Sequence, residues 1–380
     1  MFGKKIHLFT LFGFRFQLDP SWFVIVLLIT WTLASAFFPQ SYKGLDTATY
    51  WGMGVVAALG LFVCVALHEM GHAFVARHYG SDVHEISLFL FGGVAHIPED
   101  PKTPKAEFLM AIMGPIVSIA IGGILLAVGQ ISMPTPMAGV LRYLGIINIV
   151  LAGFNLLPGF PLDGGRVLRA GLWKWKDNLE WATRIASQVG SGFGFALWGL
   201  AVLSLLVGNF IGAVWWFFLG LFLRGAAKMA YRQLVWKRML EGVPVSKVMN
   251  TDVPTVPPDA SAERFAEDYL YRWDIDTFPA AEDDRLVGCI QGDDLKRIPR
   301  DQWSETSVRD LARTCPTDHV LQADDRALDA WQRLRDAAGG NGTPYIVLDG
   351  DRLVGMVTSQ DMLRYLSRRS RFEGERIGQG

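Results

Sequence analysis

The stretch VALHEMGHAF carries His68, Glu69 and His72, three side chains that could together activate water. Residues four apart on a helix share one face, so both imidazoles can reach a single ion. Glu69, one position on from His68, is turned too far to be an obvious ligand. It is well placed to hold a water at that ion and take its proton. Zinc suits paired histidines and lowers the pKa of a bound water toward neutrality, which makes a nucleophile available. Such a site needs a third protein ligand and an open position. Histidines in apolar helices also occur as hydrogen-bonded core residues. Here, however, Glu69 lies about two helical turns inside an apolar run that closes at Arg77. A carboxylate at that depth needs a partner or water, and a metal centre supplies both.

The third ligand must come from a segment that can bring an oxygen or nitrogen to the same depth, and GFNLLPGFPLDGGR is the best candidate. Pro158, Gly159 and Pro161 break the helix, and Gly164 and Gly165 let the chain turn closely, so an extended segment could point Asp163 at the ion. Broken helix inside a membrane is tolerated only around a cavity or a site. Taken alone, Asp163 reads more readily as the cap of the segment that follows. His84 and His96 read as loop histidines near the site rather than ligands, and Cys64, on the face of His68, reads as packing.

The elements that must position these residues are helices in a bilayer. With 51% hydrophobic and 19% charged residues and a mean hydropathy of +0.24, the chain is too apolar for an ordinary soluble enzyme of its length. Six apolar runs can each span a hydrocarbon core, approximately 20–38, 51–77, 106–129, 138–157, 185–207 and 210–231. Between the second and third, ISLFLFGGVAHI reads as a β-hairpin associated with the membrane, placed beside protein or a water-filled cavity. Residues 1–238 hold 18 Lys and Arg against 11 Asp and Glu, and residues 239–380 hold 18 against 26. Basic residues flank the odd-numbered entries and even-numbered exits of the spans, which puts both termini and the acidic tail in the cytosol of a multi-pass cell-membrane protein. The three cysteines, Cys64, Cys289 and Cys315, are scattered and suggest reduced thiols with no disulfide.

HEMGH in one span and NLLPGFPLDGG at the end of a later one resemble the site-2 protease family of intramembrane zinc metalloproteases, and FGGVAH followed by MGPIVS is similar to its reentrant hairpin and third span. The resemblance covers residues 1 to about 230. It implies hydrolysis of a peptide bond in or near the transmembrane segment of a single-pass membrane-protein substrate. Zn2+ would be held by His68, His72 and Asp163, with Glu69 as general base and Asn155 touching substrate backbone or the developing oxyanion. An interhelical hydrogen bond accounts for Asn155 equally well. Many relatives carry Asn shortly after the Gly-Pro pair, whereas Gly114-Pro115 is here followed by Ser118.

Beyond Leu240 a unit of about 60 residues occurs twice; TFPAAEDDRLVGCIQGDDLKRI is echoed by TPYIVLDGDRLVGMVTSQDMLRYL. Each copy reads as β-α-β-β-α, and the pair resembles tandem CBS domains, regulatory modules that often bind adenine nucleotides. That resemblance implies ATP, ADP or AMP contacts at Thr358 and Asp361, and at Asp294 in the other cleft, although Asp361 and Asp294 also suit helix caps. The expected fold is thus a polytopic α-helical membrane protein with a soluble α/β tandem CBS domain. Its parts are a metalloprotease domain over 1–235, a linker over 236–245, CBS copies over 246–302 and 303–370, and a flexible tail over 371–380. A homodimer through the CBS pair is expected, and nothing points to nucleic acid. The competing reading from another class is a metal-ion channel or transporter gated by its CBS pair, since buried His, Glu and Asp can also line an ion path.

Overall fold

The computed structural model describes residues 6–89, 92–95, 101–273, 275–316, 319–336 and 344–377. The chain divides into two compact units, Met1–Leu234 and Val235–Gly380.

In the first unit six helical segments are long and apolar enough to cross a membrane. They are Ser21–Ser41, built from α1 (Ser21–Thr32), a π-turn and α2 (Phe38–Ser41), then α3 (Thr47–His78), α4 (Pro104–Val128), α5 (Thr135–Asn155), α7 (Leu179–Leu206) and α8 (Phe210–Leu240). The short amphipathic α6 (Asp163–Lys176) stands between α5 and α7. Local signals set the limits of these helices. Asp46 caps α3 by accepting from the Thr49 backbone N–H, and Thr103 caps α4 with Pro104 at its first position.

The expected hairpin is present, with β3 (Glu85–Phe89) antiparallel to β4 (Gly92–Ala95) and Leu88 opposite Gly93. It belongs to a larger sheet of order β1-β2-β3-β4, in which β1 (Ile6–Leu11) and β2 (Phe14–Leu18) form a second hairpin and β2 runs parallel to β3. This second hairpin turns through Phe12 and Gly13, both at positive φ, as a two-residue connection between strongly twisted strands requires. Arg77 then ties the turn to the end of α3. Its guanidinium donates to the Phe12 and Gly13 carbonyls at 2.8 and 2.7 Å and stacks on the Phe14 ring. Phe14, Phe16 and Ile86 of the sheet pack with Met70, Ala73 and Met110, so the sheet is fastened to the helical turns that carry the HEMGH residues.

The second unit holds a five-stranded sheet of order β5-β6-β9-β8-β7. Its second copy runs β7 (Val320–Gln322), α11 (Ala327–Asp336), β8 (Tyr345–Asp349), β9 (Arg352–Val357) and α12 (Ser359–Ile377). The first copy is less regular. It keeps α9 (Ala262–Phe265), β5 (Thr277–Glu282) and β6 (Arg285–Gln291), followed by α10 (Val308–Leu311) on the way to the second copy. Its opening strand is reduced to one parallel bridge between Val256 and Ala280, and a 3-10 turn, Gly292–Arg297, stands where α12 stands in the second copy. Helix α8 continues to Leu240, through half of the segment read as a linker, and α12 carries helix to Ile377, where a flexible tail was expected.

One expectation is overturned. Cys289 and Cys315 form a disulfide, and only Cys64 is free. The chain gives no spacing pattern for this pair because a backbone bridge between Cys289 and Arg313 brings them together. Ile346 then seals the bond in a small apolar cluster.

Candidate metal centre

His68 and His72 project from one face of α3 and are 4% and 5% exposed. Asp163, the first residue of α6, brings its carboxylate to them. The Nε2 atoms lie 3.1 Å apart, and Asp163 Oδ2 is 3.2 Å from His68 Nε2 and 3.3 Å from His72 Nε2. A tetrahedral zinc with bonds of roughly 2.0–2.1 Å separates its ligand atoms by about 3.3 Å, so the triangle has the edge length the ion demands. Among the described residues this is the group of His, Cys, Asp and Glu able to hold a metal. The donor chemistry fits as well. Asp163 Oδ2 is buried and accepts no hydrogen bond even though it faces two imidazoles, which leaves an anionic lone pair that a cation would complete.

The far sides of both rings are fixed. His72 Nδ1 donates to the Met110 carbonyl at 2.6 Å, which turns the unprotonated Nε2 of the neutral ring toward the centre of the triangle. His68 Nδ1 lies 2.9 Å from Ser118 Oγ, itself fully buried. The serine that departs from the pattern of many relatives therefore makes its bond to a candidate ligand. Gly114, on the same face of α4, leaves room for the rings; a Cβ there would lie 2.2 Å from His72 Nε2 and 2.7 Å from His68 Nε2.

Asp163 is delivered by a loop that folds back tightly on the first turn of α6. A Cβ on Gly164 would come 2.2 Å from the Leu156 carbonyl oxygen, and one on Gly165 would come 2.3 Å from the Gly159 carbonyl carbon. The DGG sequence is thus a packing requirement as much as a turn signal. The loop is braced on α7, where Phe160 N–H donates to the Ala186 carbonyl at 3.2 Å.

Glu69 is half-buried beside this cluster and outside it. Its Cγ lies against β4, where a Cβ on Gly93 would be 2.6 Å away. Asn155 is the half-buried last residue of α5. His84 pairs with Asp82 at 2.7 Å on an exposed loop, Cys64 is buried without joining the cluster, and His96 lies outside the described residues. Sequence reasoning gave Gly114, Gly93 and Met110 no role at the site. The Gly-Pro pair inside an apolar span was the one available signal for the first.

In the second unit Thr358 caps α12, its Oγ1 accepting from the Asp361 N–H at 3.2 Å, and Asp361 reaches back: its Oδ2 accepts from the Thr358 backbone N–H at 3.0 Å and from Thr358 Oγ1 at 2.6 Å. Asp294 is committed more heavily. It accepts from Gln291 N–H at 2.9 Å and pairs with Arg297 at 3.1 Å and Arg313 at 3.0 Å.

The chain is similar to proteins of known family. The model described as "Peptidase family M50" matches residues 56–138 and 130–197, and "CBS domain" matches 245–300 and 308–368. A chain of Synechocystis sp. named "Putative zinc metalloprotease sll0528" is 37% identical over 81% of this chain and 82% of its own length. A zinc metalloprotease of Methanocaldococcus jannaschii is 31% identical over 96% of both chains. Among solved structures, a site-2 protease from Methanocaldococcus jannaschii is 31% identical, covering 60% of this chain and 95% of that one at a TM-score of 0.41.

Proposed function

Because the chain belongs to peptidase family M50, the site-2 protease family of zinc metalloproteases, and is a multi-pass membrane protein with two CBS domains, we propose that it is an intramembrane endopeptidase. Its substrate is the transmembrane segment of a single-pass membrane protein, cut in regulated proteolysis. The observation that carries this reading is the triangle of His68, His72 and Asp163 donor atoms, set among helices long enough to span a bilayer. These three residues would hold a zinc ion, which when bound would supply Lewis acidity toward water and the scissile carbonyl. Glu69 takes the proton of the attacking water and returns it to the departing amine, a role worth roughly 10²–10⁴-fold in rate. Asn155 contacts the substrate backbone near the oxyanion.

A transmembrane helix hides its carbonyls in hydrogen bonds, so the segment must unwind before attack. Strand β4 stands at the edge of its sheet and against Glu69, which supports pairing of the unwound segment with that edge. The basic residues flanking the spans put both termini and the CBS pair in the cytosol, which reporter fusions at each terminus check. The CBS pair, as a homodimer contact, binds ATP, ADP or AMP at the Thr358–Asp361 cleft and alters substrate access.

The deciding experiment is cleavage of a single-pass substrate by purified protein. Glu69→Gln should retain zinc and abolish cleavage. If it instead blocks metal flux and no peptide is ever cut, the protein is a transporter and the proposal fails.

A further inference from the structure

Glu107, near the start of α4, has no exposed surface, and Arg169, in the middle of α6, is 8% exposed. Arg169 Nε and Nη2 both donate to Glu107 Oε1, and Glu107 Oε2 is buried without a hydrogen-bond partner. The guanidinium also lies 5.1 Å over the ring of Phe160, in the loop that delivers Asp163. Apolar side chains of similar volume would hold two helices together at least as well as a buried ion pair. An ion pair adds a fixed register, because displacement of either helix leaves two charges uncompensated.

That register bears on the metal site. Along α4, Glu107 is followed by Met110, whose carbonyl holds His72, and by Gly114, which faces both ligand nitrogens. Along α6, Asp163 opens the helix and Arg169 follows about a turn and a half later. The stretch from Glu107 to Gly114 and the stretch from Asp163 to Arg169 are each about 10 Å of helix. Helices α4 and α6 pack against one another, so α6 is attached at two matched points, the ion pair at its middle and the ligand cluster at its start.

We propose that Glu107 and Arg169 are positioning residues for the metal site: their ion pair sets α6 along α4 so that Asp163 Oδ2 stands at His68 and His72 before the ion arrives. This rests on the reading of those three residues as the zinc ligands. The test uses the full chain in detergent, with zinc affinity measured by chelator competition and ligand geometry by the visible absorption of the Co2+-substituted protein. Glu107→Gln should weaken zinc binding roughly ten- to a hundredfold and shift the Co2+ bands. Arg169→Lys keeps the charge but loses the planar fork and should weaken it less, in the same direction. Either variant overturns the proposal if it is monodisperse and melts at lower temperature while zinc affinity and Co2+ spectrum stay as in the wild type, since the pair is then structural only. Should Glu107→Gln not fold, Arg169→Lys decides by the same criterion. Wild-type protein that binds no zinc would instead sink the ligand assignment, a separate failure.

Discussion

Gly114 lies so close beneath His72 that a Cβ on it would sit 2.2 Å from the ring Nε2. Helix α4 therefore contributes empty space at the one point where a side chain would displace both imidazoles. Gly93 has the corresponding relation to Glu69, because a Cβ on it would sit 2.6 Å from the Glu69 Cγ. The two glycines predict opposite failures. Gly114→Ala should lower zinc affinity by at least about a hundredfold, because the rings are fixed on their far sides and have nowhere to move. Gly93→Ala should keep zinc and slow cleavage by about ten- to a hundredfold, through displacement of a flexible base. Metal content by atomic absorption beside a cleavage assay separates them, and parallel loss of both properties in each variant would contradict this division.

Strand addition makes a backbone prediction. Proline at a β4 residue whose N–H points away from β3 removes a donor without adding charge. Cleavage should fall about tenfold while zinc content stays unchanged. Undiminished cleavage at every such position means that the substrate does not pair there.

The disulfide predicts a thiol count. Alkylation of the denatured, unreduced chain should modify Cys64 alone, and reduction should expose Cys289 and Cys315 as well. Closing a loop of 26 residues is worth about 3.5 kcal/mol in a chain-entropy account. Cys315→Ser should accordingly lower the melting temperature of the full chain. Three reactive cysteines before reduction would show that the bond does not form in solution.

The two CBS carboxylates differ in what they can offer a ligand. Asp294 is held by two arginines and a backbone N–H, whereas Asp361 engages Thr358, the cap of α12, and leaves Oδ1 only a 3.4 Å approach from Arg364. Asp361→Ala should weaken adenine-nucleotide binding by the full chain about tenfold or more, and Asp294→Ala should leave it near wild type. Calorimetry with ATP, ADP and AMP checks both, and a wild-type chain that binds none of the three ends the nucleotide reading.

Much of the candidate site was legible because its chemistry is local. His68 and His72 share a helix, and their spacing alone puts them on one face. Asp163 was legible through the prolines and glycines around it, since a broken helix beside an apolar span needs a reason. What stayed hidden depends on tertiary contact. Glu107 and Arg169 look like ordinary interfacial charges in sequence, and their burial exists only once α6 lies on α4. Cys289 and Cys315 meet through a bridge between segments with no shared pattern. Strands β1 and β2 were overlooked although LFGFRFQL alternates, because β1 is exposed along its whole length and lacks the half-buried signature of a strand.

The contact between Gly93 and Glu69 also gives the sheet a use as a ruler. A peptide laid along the edge of β4 would advance by about 3.3 Å per residue, and Glu69, as the proposed base, would mark the zero of that scale. A slip of one residue presents the neighbouring bond and turns every side chain to the opposite face, while the main-chain hydrogen bonds stay the same. Main-chain pairing is blind to side-chain identity, so under the proposed strand addition distance along the strand, more than sequence, would select the bond. A protease measuring its substrate in this way is exacting about place and tolerant about composition.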